Sequence, residues 1–416
     1  MEDKVTNERE PSQQNACGGP GASHLAEGRA FKPADRLSTV SEYYFSTKLK
    51  EVARLNAEGR DIISLAIGSP DMPPSPETID VLCEQARRDD THGYQPTIGT
   101  PELRSAMAGF YKRWYGVELD PASEIQPLIG SKEGILHVTL AFVNPGDEVL
   151  VPNPGYPTYT SLSRLLGARI VNYDLTQDGG WQPDFDALEK LDLSRVKLMW
   201  TNYPNMPTGA RARRETYEHL VDFARRHGII VVNDNPYSFI LNDGEKLSLL
   251  QVPGAKDCCI EFNSMSKSHN MPGWRVGMLA TNAQFIQWIL KVKSNIDSGT
   301  FRPMQLAAAH AYDNSDEWHR KANFETYANR RHLAEEIMRT LDCQFDPEQV
   351  GMFLWGRIPD KYENVEDLTE RVLHEARVFI TPGFIFGSNG SRYIRISLCA
   401  KVEKFEEALR RIKEMK

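Results

Sequence analysis

Short apolar segments alternate with amphipathic ones along most of the chain. Apolar runs of four or five residues predict buried strands at 148–151, 168–172, 196–200, 229–232 and 259–262. The stretches between them have the spacing of helices. Strands that alternate with helices are typical of crossover units, so residues 76–299 predict one large α/β domain, a mostly parallel sheet flanked by helices.

The segments on either side of this region have a different pattern. Apolar residues at helical spacing predict a helix from about 36 to 60, which ends at Gly59, and a short strand follows at 62–67. Beyond residue 300 the pattern predicts helices at 304–312 and 326–341 and strands at 352–355, 378–380 and 393–397. Residues 36–75 and 300–416 together predict a smaller α+β domain.

Residues 1–35 are rich in polar residues and glycine and poor in large apolar ones, which predicts a flexible N-terminal tail or arm. The first 30 residues contain no apolar segment of the kind found in signal peptides. No run in the chain approaches the roughly 18 apolar residues of a membrane span. We therefore expect a soluble protein without a membrane partner.

Charge and cysteine content narrow the class further. The net charge is −8, from 57 acidic and 49 basic residues, and no basic stripe is present, which argues against nucleic acid as a partner. The six cysteines form no CxxC pair and no zinc-type spacing, so no metal is implied. Free thiols are typical of a reducing compartment, and we expect the cytoplasm.

Lys267 has the most informative surroundings in the sequence. It lies between the strand at 259–262 and a Gly/Pro-rich turn, where a desolvated amine can attack a carbonyl. Arg275 offers a planar fork suited to a phosphate, and Ser264 and Ser266 add hydroxyl groups. A surface lysine and arginine in a polar loop would be the alternative interpretation of the same residues.

The run Ser264-x-Ser-Lys267 followed by Pro272-Gly-x-Arg275-x-Gly277 resembles the cofactor-lysine signature of class I/II aminotransferases, in the aspartate aminotransferase superfamily. The resemblance extends over nearly all of residues 37–416. It implies the fold of a fold-type I transferase dependent on pyridoxal 5'-phosphate (PLP). It also implies that Lys267 holds PLP as a Schiff base and then moves the proton between the substrate alpha carbon and the cofactor.

The run Gly130-Ser-Lys-Glu-Gly134 precedes a helical pattern. Amides at a helix start form a seat for phosphate, although the same residues also suit a plain helix cap. In the family, the corresponding loop binds the PLP phosphate. The resemblance therefore assigns Ser131 and Lys132 to phosphate binding, and Lys132 is expected to contribute its amide rather than its ammonium group.

Three further residues match family positions around the cofactor ring. Tyr156 follows a Pro-Gly turn and corresponds to the aromatic residue that stacks on the pyridine ring. Asp234, at the end of a strand, corresponds to the carboxylate that keeps the pyridine nitrogen protonated, so that the ring acts as an electron sink. Tyr237 corresponds to the tyrosine whose hydroxyl reaches the phenolic oxygen.

One position departs from the family. The usual Asn-Pro-Thr-Gly has an asparagine that bonds the phenolic oxygen and lowers the pKa of the Schiff base, but this chain has Met206 before the proline. A thioether is a weak acceptor. Either Asn205 or Asn202 compensates, with Asn205 named as the cofactor-binding candidate, or the Schiff base titrates at a higher pH than is usual.

The substrate positions also follow from the resemblance. Arg395, in an alternating strand pattern, matches the arginine that clamps the substrate alpha-carboxylate, and Gly68 matches the turn whose backbone meets the same group. Tyr94 matches a tyrosine that reaches the phosphate of the neighbouring subunit, which implies a homodimer with shared active sites. Arg302 lies in the specificity segment 294–302, where it could select an acidic side chain, contact phosphate or form an ion pair.

The sequence thus predicts ping-pong transfer of an amino group between an L-amino acid and a 2-oxo acid. We expect neutral, aromatic or sulfur-containing amino acids, with glutamate and 2-oxoglutarate as one pair. A fold-type I lyase, for beta-elimination or cyclopropane formation, would use the same residues and is the main alternative. A non-enzymatic PLP-binding effector domain is a second alternative, but residues 1–35 are too short and polar for its helix-turn-helix.

Overall fold

A seven-stranded sheet forms the centre of the molecule. The computed structural model describes residues 31–40 and 44–415, without the side chain of His319, so the predicted tail 1–35 lies almost wholly outside the described residues. The strands are β1 (Ile63–Ser64), β2 (Ile125–Leu128), β3 (Glu148–Asn153), β4 (Arg169–Asp174), β5 (Val196–Thr201), β6 (Ile230–Asp234), β7 (Cys259–Ser264), β8 (Gly277–Ala280), β9 (Gln344–Phe345), β10 (Phe353–Arg357), β11 (Val378–Phe379), β12 (Thr381–Pro382) and β13 (Tyr393–Ser397). The central sheet has the order β2-β8-β7-β6-β5-β3-β4.

Some of the helices cover both faces of this sheet, and those nearest the C-terminus pack with the smaller sheet instead. The helices are α1 (Tyr44–Ala57), α2 (Pro76–Ala86), α3 (Pro101–Tyr115), α4 (Ser131–Phe142), α5 (Pro157–Leu165), α6 (Phe185–Leu188), α7 (Arg214–His227), α8 (Met265–Ser268), α9 (Ala283–Lys293), α10 (Arg302–Asn314), α11 (Asp316–Lys321), α12 (Tyr327–Thr340), α13 (Val365–Arg371) and α14 (Val402–Lys413). Successive residues of a strand point to opposite faces. Accordingly Trp200 packs in one buried cluster with α4, α5 and α9, whereas Met199 packs in another with α3 and α7.

The five strands that the apolar runs predict are all present and mutually parallel, which confirms the mostly parallel sheet. The sequence missed β2 and β8, which are only four residues long, and β2 contains a proline. β8 runs antiparallel to both of its neighbours. The carboxyl ends of β3, β6 and β7 meet at one edge of the sheet, where ligand sites of such folds form.

A smaller antiparallel sheet has the order β12-β13-β10-β9. β1 pairs in parallel with β11, so that Ile63 lies beside Val378 and the segment before the central sheet joins the C-terminal part of the chain. Residues Arg36–Lys416 form one compact unit. The division of this unit into a large domain, 76–299, and a small domain, 36–75 with 300–416, stays a prediction.

The predicted helix at 36–60 is shorter in the structure. A 3-10 turn spans Asp35–Thr39, residues 41–43 lie outside the described residues, and the described part of α1 spans Tyr44–Ala57. The predicted strand at 62–67 is also shortened, to β1. The Leu65 carbonyl still accepts from a backbone amide, that of Ser397, but the carbonyls beyond it accept from side chains. The carbonyl of Ala66 accepts from Arg395, and that of Gly68 accepts from Lys267. The segment that follows β1 therefore lies at the candidate site.

A buried carboxylate stabilises the middle of the central sheet. Glu261, on β7, is fully buried and accepts from the Ser248 hydroxyl at 2.6 Å, the Leu249 amide at 2.8 Å and the Asn233 side chain at 3.1 Å. Buried charge is tolerated only when it is hydrogen-bonded in this way. Because Asn233 precedes Asp234, this network also fixes the end of β6.

Candidate active site

A cavity of about 500 Å³ lies at the carboxyl edge of the central sheet. It collects most of the residues that the sequence assigned to cofactor and substrate. The predicted residues that line it are Gly68, Ser131, Lys132, Tyr156, Asp234, Tyr237, Ser264, Ser266, Lys267, Arg275 and Arg395. Asn205 and Tyr94 are not among its lining residues.

One end of the cavity is suited to an anion. Helix α4 begins there after Gly130, which has a positive φ of 74° and offers no capping side chain. A Cβ at Gly130 would collide with the guanidinium of Arg275. Arg275 donates to the Pro272 carbonyl at 3.0 Å and lies 3.5 Å from the Ser266 hydroxyl. Helix amides and a guanidinium thus converge as a phosphate site requires.

A buried ion triad lies behind this end of the cavity, and no local sequence pattern indicates it. The ammonium of Lys293, which is 3% exposed, lies 2.5 Å from Glu133 and 2.8 Å from Asp297. Glu133 also accepts from the backbone amide of Ile129. Because Glu133 belongs to the first turn of α4, the triad ties the candidate phosphate site to the segment that follows α9.

Lys267 lies in α8, directly after β7. Its Nζ donates to the Gly68 carbonyl at 2.5 Å, across the cavity from its own strand. Burial lowers the pKa of Lys267, and the positive charges of Arg395 and Arg275 act in the same direction. A lysine of lowered pKa is more often neutral and is then nucleophilic toward a carbonyl carbon.

Asp234 is a buried lining residue of the cavity. Its Oδ2 accepts from the Tyr159 hydroxyl at 2.9 Å, whereas its Oδ1 is buried with no hydrogen-bond partner in the described structure. Burial raises the pKa of Asp234 to about 6. An unsatisfied buried oxygen is costly, so this atom fits a ligand donor such as the protonated nitrogen of a pyridine ring.

Aromatic side chains surround Asp234. Tyr159 stacks on Trp200 with 5.0 Å between ring centroids, and Tyr156 meets Tyr159 edge to face at 5.5 Å. Tyr237 is buried against Phe353, and burial raises its pKa. The sequence assigned Tyr156 and Tyr237 but missed Tyr159. The position of Tyr159, three residues after Tyr156 and at the start of a helix, was the sequence signal that could have indicated its role.

Met206 faces the other end of the cavity. Its sulfur lies 3.5 Å from Nη1 of Arg395. The two neighbouring asparagines are engaged elsewhere. The side-chain amide of Asn202 donates to the Asp234 carbonyl at 2.5 Å and accepts from the Met206 amide at 2.8 Å. Asn205 donates to the Asn202 carbonyl at 3.1 Å and accepts from Thr208. Asn205 therefore serves its own loop, and the structure does not bring it into the site.

Arg395 is held by rings. It is 4% exposed, and its guanidinium carbon lies 4.0 Å from the ring centroid of Phe353, 4.6 Å from Phe386 and 5.8 Å from Phe45. Nη2 donates to the Ala66 carbonyl at 2.9 Å. Such contacts orient the guanidinium without neutralising its charge. A ligand carboxylate in the cavity can therefore pair with it.

The turn at Gly68 tolerates no side chain, because a Cβ there would lie 2.5 Å from the Phe353 ring. Tyr94 is 95% exposed, and the backbone beside it is bridged to the specificity segment, Gln95 to Gly299. Arg302 lies 3.6 Å from Glu102, which agrees with the ion-pair interpretation of that residue. Both residues are thus at the surface of their own chain.

The lysine, the unsatisfied Asp234 oxygen and the anion site together fit PLP, and comparison with known proteins agrees. The model of the aminotransferase class I and II family matches residues 60–412. LL-diaminopimelate aminotransferase of Dehalococcoides mccartyi is 39% identical over 383 residues, which cover 92% of this chain and 98% of that relative.

Two solved structures are similar over the same extent. Apo-BacF from Bacillus subtilis has a TM-score of 0.87 at 34% identity and covers 93% of this chain and 98% of its own. The aromatic aminotransferase from Pyrococcus horikoshii OT3 has a TM-score of 0.82 at 30% identity, covering 91% and 97%. The chain belongs to the class I and II aminotransferases. It is a PLP-dependent enzyme that moves an amino group between an amino acid and a 2-oxo acid, rather than a lyase or an effector domain.

No helix among the described residues is long and apolar enough to cross a membrane. The cysteines of the described part, at 83, 258, 259, 343 and 399, are free. The cytoplasmic location that their pattern suggested stays a prediction.

Proposed function

We propose that this aminotransferase acts on neutral L-amino acids with aromatic, aliphatic or sulfur-containing side chains, and uses glutamate and 2-oxoglutarate as the second pair. The observation that carries the proposal is the lining near Arg395, where Phe45, Leu49, Ile67 and Phe353 present apolar surface. Apart from Asp234, no acidic side chain of the described residues lines the cavity. An apolar side chain therefore fits better there than a second ammonium group.

The residues divide the work between binding and proton movement. We propose that the Lys267 nitrogen binds the cofactor covalently, and that Ser131, the Lys132 amide, Ser264, Ser266 and Arg275 hold its phosphate. Bound PLP supplies the electron sink that makes the substrate alpha carbon acidic. Lys267, once released, takes and returns the proton at that carbon, because its lowered pKa leaves it able to act as a base.

Three other side chains orient the reacting groups. Asp234 presents its free Oδ1 to the ring nitrogen, and Tyr156 offers its face to the ring. Tyr237 lines the cavity and is the remaining hydroxyl for the phenolic oxygen, since both asparagines of the Met206 loop are engaged elsewhere. Arg395 pairs with the substrate alpha-carboxylate, and because its guanidinium is buried, such a pair is stronger than one in open solvent.

LL-diaminopimelate is the second candidate substrate. The 39% identical relative carries that name, and identity at this level extends over nearly the whole chain. Diaminopimelate has an ammonium and a carboxylate at its far end, and burying them without partners would be costly. Such partners would have to come from a neighbouring subunit or from residues outside the described part of the chain.

A panel of half-reactions tests the proposal. The PLP-loaded enzyme is mixed with one amino acid at a time, and its absorbance is followed as the cofactor is converted to its amino form. We expect conversion with phenylalanine, tyrosine, methionine, leucine and glutamate, and much slower conversion with LL-diaminopimelate. Rapid conversion with LL-diaminopimelate alone would replace our proposal by the second candidate, and conversion with aspartate alone would exclude both.

We also propose a homodimer with shared active sites. Tyr94, Ile296 and Phe301 are large and exposed, and the Gln95–Gly299 bridge brings their two segments together. An exposed apolar patch of this kind is typical of an interface. Mixed dimers of Lys267→Ala and Tyr94→Ala chains test the sharing, because one of their two sites would have both residues intact. Recovery of activity on mixing is expected, and no recovery in proven mixed dimers would contradict it.

A further inference from the structure

A second cavity, of about 350 Å³, lies beside the segment that directly follows Lys267. Ser268 and His269, which directly follow Lys267, are among its lining residues. Its walls are aromatic, from Phe110, Trp114, Phe239 and Phe324. Phe239 lies 5.2 Å from each of the first two rings, measured between centroids. The volume and lining are those of a small-molecule pocket, which is mostly apolar with a few polar groups.

Two acidic and two basic side chains line this cavity, and they differ in their ion pairs. Asp243 and Asp316 line it, but each is paired with an arginine that does not: Asp243 with Arg211 at 3.1 Å and Asp316 with Arg113 at 2.8 Å. The acidic groups of the lining are therefore already neutralised.

The two cations of the lining, Lys246 and Arg320, are in no ion pair of this kind with the described residues, although Asp243 lies near enough to Lys246 to oppose the lowering of its pKa by burial. The ammonium of Lys246 donates only to backbone carbonyls, of Asn242 at 2.5 Å and Gly244 at 3.0 Å. Within the described residues, neither Lys246 nor Arg320 has a carboxylate within ion-pair distance. Aromatic walls with two cations that form no direct ion pair suit a flat molecule that carries a negative charge.

We propose that this cavity is a second ligand site, and that it takes a small aromatic carboxylate. The ring of the ligand lies among the four aromatic side chains, and its carboxylate faces Lys246 and Arg320. The site is separate from the substrate cavity, because the two linings share no residue.

The position of the cavity couples it to Lys267. The side-chain amide of Asn323 donates to the Ser268 carbonyl at 3.0 Å. Asn323 belongs to a π-helical turn, Ala322–Thr326, and its neighbour Phe324 lines the cavity. Such turns are frequent at functional sites. A ligand that contacts both Ser268 and Phe324 contacts the acceptor residue of this hydrogen bond and the neighbour of its donor. It therefore affects the orientation of Lys267, which precedes Ser268.

Binding is tested with 1-anilinonaphthalene-8-sulfonate, a fluorescent aromatic anion, and the PLP-loaded enzyme. We expect one saturable site per chain, displaced by 3-phenylpropionate, and retained in Arg395→Ala, which removes the substrate clamp. The double variant Lys246→Ala/Arg320→Ala should bind at least about tenfold more weakly, since it loses charge-assisted contacts. Lys291→Ala, an exposed lysine on α9, is the matched control. Binding that is lost in Arg395→Ala, or that is equal in the double variant and the control, would overturn the site.

The coupling is read from the cofactor itself. In PLP-loaded Arg395→Ala, saturating 3-phenylpropionate should shift the pH midpoint of the cofactor's absorbance change. The same ligand should still bind to Arg395→Ala/Asn323→Ala but leave the midpoint in place. A midpoint that never responds to bound ligand, or that responds equally without Asn323, would overturn the coupling.

Discussion

Two arginines face the active-site cavity from opposite ends, and they are built into the protein in different ways. Arg275 is exposed, and its backbone has a positive φ of 56°. Backbone carbonyls of Pro272 and Ile129 hold its guanidinium, at 3.0 and 3.4 Å. Arg395 is 4% exposed and held by three rings, one carbonyl and a thioether.

The difference between the two arginines shows how one cavity can bind two anions, the cofactor phosphate and the substrate carboxylate, in different ways. At the Arg275 end, the start of α4 and two serines share the negative charge, so no single group is indispensable. At the other end, Arg395 is the cation of the described residues that the rings of Phe45, Phe353 and Phe386 surround, and it is buried. A charge interaction in such surroundings is strong, and its loss is correspondingly severe. We expect several groups to share the binding of the cofactor phosphate, whereas binding of the substrate carboxylate depends on Arg395.

Replacing Arg395 by alanine is the most severe test of this comparison. Two charge-assisted hydrogen bonds to the substrate carboxylate would be lost, worth about 3–4 kcal/mol together, so kcat/KM should fall roughly 10²- to 10³-fold. Cofactor content should not change. Arg395→Lys is the matched variant: it keeps the charge but not the planar fork, and should recover only part of the activity. A loss of less than tenfold in Arg395→Ala would show that another group clamps the carboxylate.

Burial distinguishes Arg395 from Arg275, and it also affects Asp234 in the same cavity. For Asp234 the effect of burial appears in the pKa of the carboxyl group. Its pKa is raised to about 6, above its ordinary value of 3.8, by burial. The folded cofactor-free protein then holds this proton more tightly than the unfolded chain does. The stability that Asp234 contributes is fully present below pH 4 and is lost as the pH rises through about 6. The loss that Asp234 causes is at most about 3 kcal/mol.

Urea unfolding of the cofactor-free protein between pH 4 and 7 measures this effect. In Asp234→Asn, which cannot ionise, the corresponding slope of the unfolding free energy should disappear. Identical slopes in the two proteins would mean that the carboxylate is solvated when the cofactor is absent.

Arg275→Ala should have a smaller effect than Arg395→Ala, and a different one. We expect PLP to bind about 10- to 100-fold more weakly, because one charged partner of the phosphate is lost and the helix amides remain. At saturating PLP, kcat should stay close to that of the parent enzyme. Lys132→Ala provides the comparison, since its amide is kept, and PLP affinity should change little. Equal losses in the two variants would place the Lys132 ammonium on the phosphate.

The sequence was most informative where a residue acts at the end of a regular element. Lys267, Asp234 and Arg395 follow or lie within strands whose pattern was clear, and the structure brings all three to one cavity. It was least informative where the role depends on packing between distant segments. The rings around Arg395 come from residues 45, 353 and 386, and the Lys293 triad joins two helices, so neither leaves a local pattern. β8 was missed because four residues carry too little periodicity.

The smallest predicted effect concerns Met206, whose sulfur lies 3.5 Å from Nη1 of Arg395 at the substrate end of the cavity. This sulfur is a weak acceptor for Arg395, and the nearby asparagines are engaged, Asn202 with the Asp234 carbonyl and the Met206 amide and Asn205 within its own loop. Met206→Asn would restore an amide that can donate toward the phenolic oxygen of PLP. The pH midpoint of the cofactor's absorbance change should then fall by about one unit, equivalent to about 1.4 kcal/mol. Met206→Leu, similar in volume but unable to hydrogen-bond, should leave the midpoint unchanged. If both variants behave like the parent, Tyr237 alone sets the titration of the bound cofactor, and the family asparagine is dispensable in this site.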